Sequence, residues 1–414
     1  MQESAESLSL HIPEPLWRPG DPVDFRGMKV PPAGALPALP IDCSAEDTYD
    51  HASGLIRVLD DEGRAVGAWD PQAPVEMLQR GLKAMLLVRA FDDRMYRQQR
   101  QGKTSFYMKC TGEEAVAVAQ TLALGEGDMC FPTYRQQGVL ITRGYPLVEM
   151  MNQCYSNARD PLKGRQLPVL YSSKPHGFFT VSGNLGTQFS QAVGWAMASA
   201  YKGDSRLAYA YIGDGSTAEG DFHQALLFAG VYRAPVLLNI VNNQWAISAF
   251  QGIAGGDQAT FASRGLGYGL PSLRVDGNDF LAVYAVTQWA AARARANLGA
   301  TLIELFTYRA SAHSTSDDPS RYRPNEEVER WPLGDPVERL KQHLTGLGAW
   351  SEAQQQAAET EALEQVRAAG REAEKVGVLG VTRPPVETMF DDVFKERPWH
   401  LDQQAAELLN GEGR

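Results

Sequence analysis

The chain has 414 residues, 43% of them hydrophobic and 21% charged, enough apolar content for a sizeable core, which excludes global disorder. At roughly 150 residues per domain there is room for about two to three domains. Its 39 Lys and Arg stand against 50 Asp and Glu, and a net charge of −11 argues against a nucleic-acid partner.

In chain order, residues 1–10 carry Glu3 and Glu6 but no Lys or Arg, unlike a secretory signal or an Arg-rich transit peptide. Residues 1–75 hold ten of the 24 prolines, which forbids long helices and predicts an extended arm. Within the arm, residues 55–59 and 65–69 flank Asp60-Asp61-Glu62-Gly63, the pattern of a hairpin. From residue 76 to 334 an α/β domain is expected. Met77, Leu78, Leu82, Met85, Leu86, Phe91 and Met95 recur at helical spacing and predict a long helix over 75–101. A second helix is expected over 113–124, after Thr111-Gly112.

The centre alternates. Residues 193–201 read as helix, 207–212 as a buried strand, 219–229 as helix, and 235–241 and 301–308 as further strands. Such alternation predicts a parallel sheet with right-handed crossovers and helices on both faces. Gly265-x-Gly267-x-Gly269 reads as a turn, since no strand leads into it. Residues 335–414 read as a helical tail. Asp335-Pro336-Val337-Glu338 has the cap, proline and acid of a helix start, and 352–375 is rich in Ala, Glu, Gln and Arg. The cysteines, Cys43, Cys110, Cys130 and Cys154, form no C-x-x-C pair, which fits a reducing compartment. No apolar run reaches the roughly 18 residues of a membrane span, so a cytoplasmic protein without a membrane partner is expected.

The chemistry centres on Gly213-Asp214-Gly215, continued by Ser216, and on Asn242-Asn243, with the 26 residues 216–241 between Gly215 and Asn242. Each element follows a predicted strand, so Asp214 and Asn243 should emerge side by side at the carboxyl edge of the sheet. A carboxylate and an amide oxygen there suit Mg²⁺. Gly213 and Gly215 permit tight turning, and a helix starting near Thr217 would offer free N–H groups to a diphosphate. The bland alternative is two turns without a ligand.

Gly-Asp-Gly, a gap of this length and Asn-Asn resemble the thiamin diphosphate motif. More narrowly, the chain resembles the alpha chains of the branched-chain 2-oxo acid dehydrogenase decarboxylating component. The resemblance runs from about Gln101 to Arg323. Its motifs are Gln101-Gly102-Lys103, Ser105-Phe106-Tyr107-Met108, Gly112-Glu113-Glu114, Tyr134-Arg135, Lys163-Gly164-Arg165-Gln166, Thr187-Gln188, Arg274-Val275-Asp276-Gly277-Asn278-Asp279 and His313-Ser314-Thr315-Ser316-Asp317-Asp318.

The resemblance implies that Asp214, Asn243 and the main-chain carbonyl of Trp245 bind Mg²⁺. Trp245 stands where Tyr is usual, and Asp214 where some relatives have Glu. Tyr134 and Arg135 would bind the cofactor, Arg135 through the diphosphate. Ser182-Gly183-Asn184-Leu185-Gly186-Thr187-Gln188 resembles the loop against the aminopyrimidine ring, which makes Gly183 and Leu185 cofactor contacts. Relatives from mitochondria bind K⁺ in this loop. Ser182, Thr187 and Gln188 are the corresponding ligands, although Asn184 departs from that pattern. His313 opens a run that resembles the family's cofactor-covering loop, expected to be mobile without cofactor, and is the candidate catalytic residue. Ser314 matches a serine phosphorylated in mitochondrial relatives.

No second α/β domain is legible in the chain. The family supplies it, with a glutamate that contacts the pyrimidine, on a beta subunit, in an assembly of two alpha and two beta chains. The activity implied is decarboxylation of a branched-chain 2-oxo acid such as 2-oxoisovalerate, with acyl transfer to a lipoyl group on the acyltransferase component. The alternatives are a pyruvate or acetoin dehydrogenase alpha subunit and, in another class, a non-catalytic interaction subunit. A nucleotide-hydrolysing enzyme would need G-x-x-x-x-G-K-[ST] around Gly213, which is absent.

Overall fold

The computed structural model describes residues 10–411. Its strands are β1 (Met129–Phe131), β2 (Ala208–Gly213), β3 (Val236–Asn242), β4 (Trp245–Ala246), β5 (Ala249–Phe250), β6 (Ser272–Asp276) and β7 (Thr301–Phe306). Five of them form one wholly parallel sheet in the order β1-β2-β3-β7-β6, while β4 and β5 make a small antiparallel pair. Parallel strands covered on both faces bury every side chain, and β3 and β7 are buried along their whole length.

The two faces sort by the strand period. Ala208, Ala210 and Ile212 of β2 pack with the helices Thr187–Tyr201 and Gly220–Tyr232. Tyr209 and Tyr211 of the same strand face the other layer, built from the helices Glu114–Ala123 and Phe280–Arg295. The long helix Val75–Arg100 backs that layer, and the tail helix Glu352–Val376 packs on the long helix. Of the tail helices, Pro336–Gly346 starts on the cap that its sequence predicts. Asp335 accepts from the N–H groups of Val337 and Glu338, and Ser351 forms a capping box with Gln354.

The Pro-rich arm forms no helix longer than the five residues Tyr49–Ser53 among its described residues. The expected hairpin is only partly realised. Its turn is present, with Asp60 N–H donating to Arg64 O and Val66 N–H to Val58 O, but only Leu59 and Ala65 form a bridge. The first half leaves the hairpin because it runs beside β6 instead, with Ile56 bridging Val275 in parallel. Asp279 then takes the backbone N–H groups of Val58 and Leu59 at 2.8 and 2.6 Å.

Several elements escape the sequence reading. Strand β1 is only three residues long. Strand β6 is short and mostly buried, with no alternation to betray it. The helix Phe280–Arg295 buries Phe280, Val283, Val286, Ala290 and Ala294 among others, so it shows no clean polar stripe. The helix predicted from 193 begins six residues earlier, at Thr187.

Asp279 joins arm, sheet and tail. It caps Leu281 and Ala282, holds Val58 and Leu59, and lies 3.4 Å from Arg339 of the tail. Asp279→Ala should destabilise the chain by about 3 kcal/mol in urea unfolding, because several buried N–H groups lose their acceptor together. Hydrogen exchange should show the amides of Val58 and Leu59 losing protection first; unchanged protection there would refute the assignment.

Candidate active site

Strands β2, β3 and β7 end together, and their following residues make the site. Pairing of Gly213 with Val241 and of Asn242 with Phe306 sets the register. Beyond the strands, Thr307 N–H donates to Asn242 O, and Arg309 N–H to Asn243 O.

Asp214 is buried at the end of β2. Its Oδ1 accepts the Gly215 N–H at 2.9 Å, and its Oδ2 has no hydrogen-bond partner among the described residues. Burial pushes this carboxyl up to about 7. The turn below is locked, since Thr217 Oγ1 donates to Asp214 O at 2.6 Å and Arg264 Nη1 donates to Thr217 Oγ1 at 2.8 Å. A Cβ on Gly215 would stand 2.4 Å from Ala246 Cβ, so only glycine lets the two turns meet. The expectation of a helix beginning near Thr217 is corrected here. Gly215–Ala218, with Ser216 buried inside it, is a four-residue 3₁₀ turn. Extended Glu219 follows, and the α-helix starts at Gly220.

Asn243 donates through Nδ2 to Glu113 Oε1 at 2.8 Å. That bond orients the amide and leaves Oδ1 with only a long contact, 3.4 Å, from Trp245 N–H. The carbonyl of Trp245 accepts Arg309 Nη1 at 2.6 Å, which leaves one of its two lone pairs.

Arg135 is buried and tightly placed. Nη1 donates to Lys109 O at 2.6 Å, and Nη2 donates to His313 O at 2.7 Å and to His313 Nδ1 at 2.9 Å. The Lys109 segment is itself held by Asp92, which accepts from Tyr107 OH, Cys110 N–H and Gln137 Nε2. The Tyr134 ring meets the His313 ring edge-on at 5.8 Å. Guanidinium has no acceptor, so His313 Nδ1 must be the accepting nitrogen and the ring proton sits on Nε2. Burial, then Arg135 and Arg309, push His313 down to about 3, which keeps it neutral.

The run after His313 is tied more firmly than its composition predicts. Asp317 Oδ2 accepts His313 N–H and Tyr322 OH, both at 2.7 Å. Arg309 Nη2 donates to Tyr322 OH at 2.7 Å. Thr315 exchanges hydrogen bonds with the Tyr107 backbone, and Ser314 is buried beside it.

Thus Asp214, Asn243, Trp245, Arg135, Tyr134 and His313 gather at one edge of the sheet. The loop of Ser182, Gly183 and Leu185 is placed differently. Gly183 and Leu185 are exposed, and the loop packs through Gly186 against Glu219 and Asp221. Ser182 and Thr187 meet through their hydroxyls at 3.1 Å. Gln188 is buried with neither amide atom partnered among the described residues. Two residues of the cluster escaped the sequence reading as site residues. Glu113 was visible only inside Gly112-Glu113-Glu114, and Arg309 only as a basic residue just past a strand. Both are buried, and burial pushes Glu113 up and Arg309 down to about 10.

The donor set fits a hard divalent cation. A buried carboxylate oxygen without a partner, an amide oxygen freed by Glu113 and a backbone carbonyl are oxygen ligands of the right kind.

The family model described as dehydrogenase E1 component matches residues 82–382, which span this entire cluster. The chain belongs to the dehydrogenase E1 component family. Residues 6–46 also match the model described as 2-oxoisovalerate dehydrogenase E1 alpha subunit N terminal. The chain is 61% identical to the 2-oxoisovalerate dehydrogenase subunit alpha of Pseudomonas aeruginosa over 97% of its length and 98% of the relative. It is 40% identical to the mitochondrial protein of that name from Mus musculus, over 86% of the chain and 79% of the relative. A form from Arabidopsis thaliana is 36% identical over 92% and 79%. Membership of this family implies thiamin diphosphate as cofactor and an oxidoreductase acting on 2-oxo acids, as the sequence predicts. No helix among the described residues is long and apolar enough to cross a membrane.

The pairing of Arg135 with His313 is testable by titration of ¹⁵N-labelled histidine. His313 should stay neutral, protonated on Nε2, down to pH 5, and Arg135→Ala should raise its pKa towards the ordinary 6.5. The folded pKa lies below the unfolded one, so His313 withdraws stability as pH falls from 6.5 towards about 3. A wild-type midpoint near 6.5 would contradict the geometry.

Proposed function

We propose that the chain serves as the alpha subunit of a branched-chain 2-oxo acid dehydrogenase. With a beta subunit, two of each in the assembly, it decarboxylates branched-chain 2-oxo acids such as 2-oxoisovalerate and passes the acyl group to the lipoyl group of an acyltransferase component. The observation that carries this reading is the unpaired, buried Asp214 carboxylate beside Asn243 in a chain 61% identical to a 2-oxoisovalerate dehydrogenase subunit alpha. Thiamin diphosphate, when bound, supplies the electron sink for loss of carbon dioxide.

The chain's own residues hold and orient. Asp214, Asn243 and the Trp245 carbonyl hold Mg²⁺, and Glu113 keeps the Asn243 amide in the right orientation. Gly213, Gly215 and Ser216 let the backbone approach the diphosphate. Arg135 offers the donors not already given to Lys109 and His313 to phosphate oxygens. Tyr134, Gly183 and Leu185 flank the cofactor. Neutral His313 presents an Nε2–H that can donate a hydrogen bond to bound substrate or to a lipoyl sulfur, and it takes up a further proton poorly between two arginines. Ser182, Thr187 and Gln188 are the K⁺ site, supported by the Ser182–Thr187 contact and the unpartnered Gln188 amide. In this reading residues 1–75 are a partner-wrapping arm, 76–334 the cofactor domain and 335–414 a tail, in a cytoplasmic complex.

The test is turnover by the complex reconstituted with its beta subunit and lipoyl-bearing partner. Relative kcat/KM should favour 2-oxoisovalerate over pyruvate by about tenfold or more, since each methylene that fills an apolar pocket is worth roughly 1–3 kcal/mol. Asp214→Ala should abolish cofactor-dependent decarboxylation. A preference for pyruvate refutes the substrate, and full activity in Asp214→Ala refutes the site.

A further inference from the structure

A cavity of about 190 Å³ lies against Trp245, between the arm and the β4–β5 pair. Its walls are aromatic: Phe25, Trp245, Phe250, Tyr308 and Trp331 all line it. They form a continuous box, with Phe25 edge-on to Trp331 at 5.7 Å, Tyr308 beside Trp331 at 5.0 Å, and Trp245 edge-on to Phe250 at 6.4 Å. One buried acid, Glu327, lines it too.

Glu327 is held only by neutral donors. Its Oε2 accepts Tyr308 OH and Trp245 Nε1, the latter at 3.3 Å. The neighbouring guanidinium of Arg323 donates to Tyr308 OH at 3.0 Å and to the Arg309 carbonyl at 2.8 Å instead of pairing with the carboxylate. Glu14 and Asp257 also line the cavity, and no Lys or Arg does. Glu14 is paired with Arg18 outside, and among the described residues neither Glu327, which feels the Arg323 charge only at a distance, nor Asp257 makes an ion pair.

We propose that this cavity binds a small organic cation, a primary alkylammonium with a compact apolar body. Aromatic faces and a carboxylate with no ionic partner both attract an ammonium group, and the apolar walls take the alkyl part. An amino acid is excluded, because its carboxylate would meet acids and no base. The site is separate from the cofactor cluster and shares only Trp245, whose indole faces Glu327 while its carbonyl faces Arg309.

Calorimetry on the complex of this chain with its beta subunit tests the proposal, with isobutylammonium, isobutanol and valine as probes. Isobutylammonium should bind saturably, one per alpha chain, about tenfold or more tighter than isobutanol, with valine giving no binding. Glu327→Gln should weaken the amine about tenfold and leave isobutanol unchanged. Phe250→Leu, at a half-buried wall, should weaken the amine several-fold without touching Glu327. Absence of saturable amine binding to the wild-type complex, equal affinity for isobutanol, or undiminished amine affinity in both variants would overturn it.

Discussion

The parallel pairing of β2 with β3 is the constraint on which the site depends. Gly213 lies opposite Val241, so the residues that follow each strand leave the sheet at the same level. A slip of one residue would turn every side chain of a strand to the other face. It would exchange Ala208, Ala210 and Ile212 for Tyr209 and Tyr211 beneath the helices Thr187–Tyr201 and Gly220–Tyr232. The small alanines admit those helices closely, and the tyrosines do not fit there. Packing far below the site thus fixes where Asp214 and Asn243 emerge.

At that edge the chain buries an unusual number of charges. Glu113, Arg135, Asp214 and Arg309 are all buried. Each would be costly alone. They are tolerated because they compensate one another and exhaust nearby carbonyls: Arg309 takes the carbonyls of Trp245 and Ile247, and Arg135 those of Lys109 and His313. Asp214 Oδ2 is the exception, and an uncompensated oxygen amid otherwise satisfied groups is what a metal-binding position requires. Burial and the same arginines keep His313 neutral, so one arrangement sets both the proposed cation site and the histidine.

Much of this was legible in the sequence. Long helices with a clear apolar stripe, such as Val75–Arg100, and buried strands flanked by turn residues, such as β3, declare themselves by periodicity. So did the approach of Asp214 to Asn243, since both follow strands. What stayed hidden depends on non-local contacts. Residue 56 runs along the edge of β6 instead of in its own hairpin, and Asp279, over two hundred residues away, receives the N–H groups of Val58 and Leu59. The 3₁₀ turn after Asp214 exists because Gly215 is pressed against Ala246. Glu113 and Arg309 carry no local mark of function, because their role comes from a neighbour on another element.

Trp245 is held at both its backbone and its indole. Its backbone carbonyl is the oxygen proposed as a ligand, and any side chain supplies that oxygen. The indole carries an N–H that must find an acceptor when buried. Glu327 provides it, and Tyr308 and Arg323 complete the chain of hydrogen bonds back to the Arg309 carbonyl. Arg309 in turn grips the Trp245 carbonyl. Indole and carbonyl are therefore fixed from two sides by one closed circuit. That circuit includes the arm's neighbours, since Phe25 packs on Trp331, which packs on Tyr308. The Pro-rich segment, remote from the sheet in sequence, thus helps hold the position of the Trp245 carbonyl, the oxygen proposed as a ligand, at its edge.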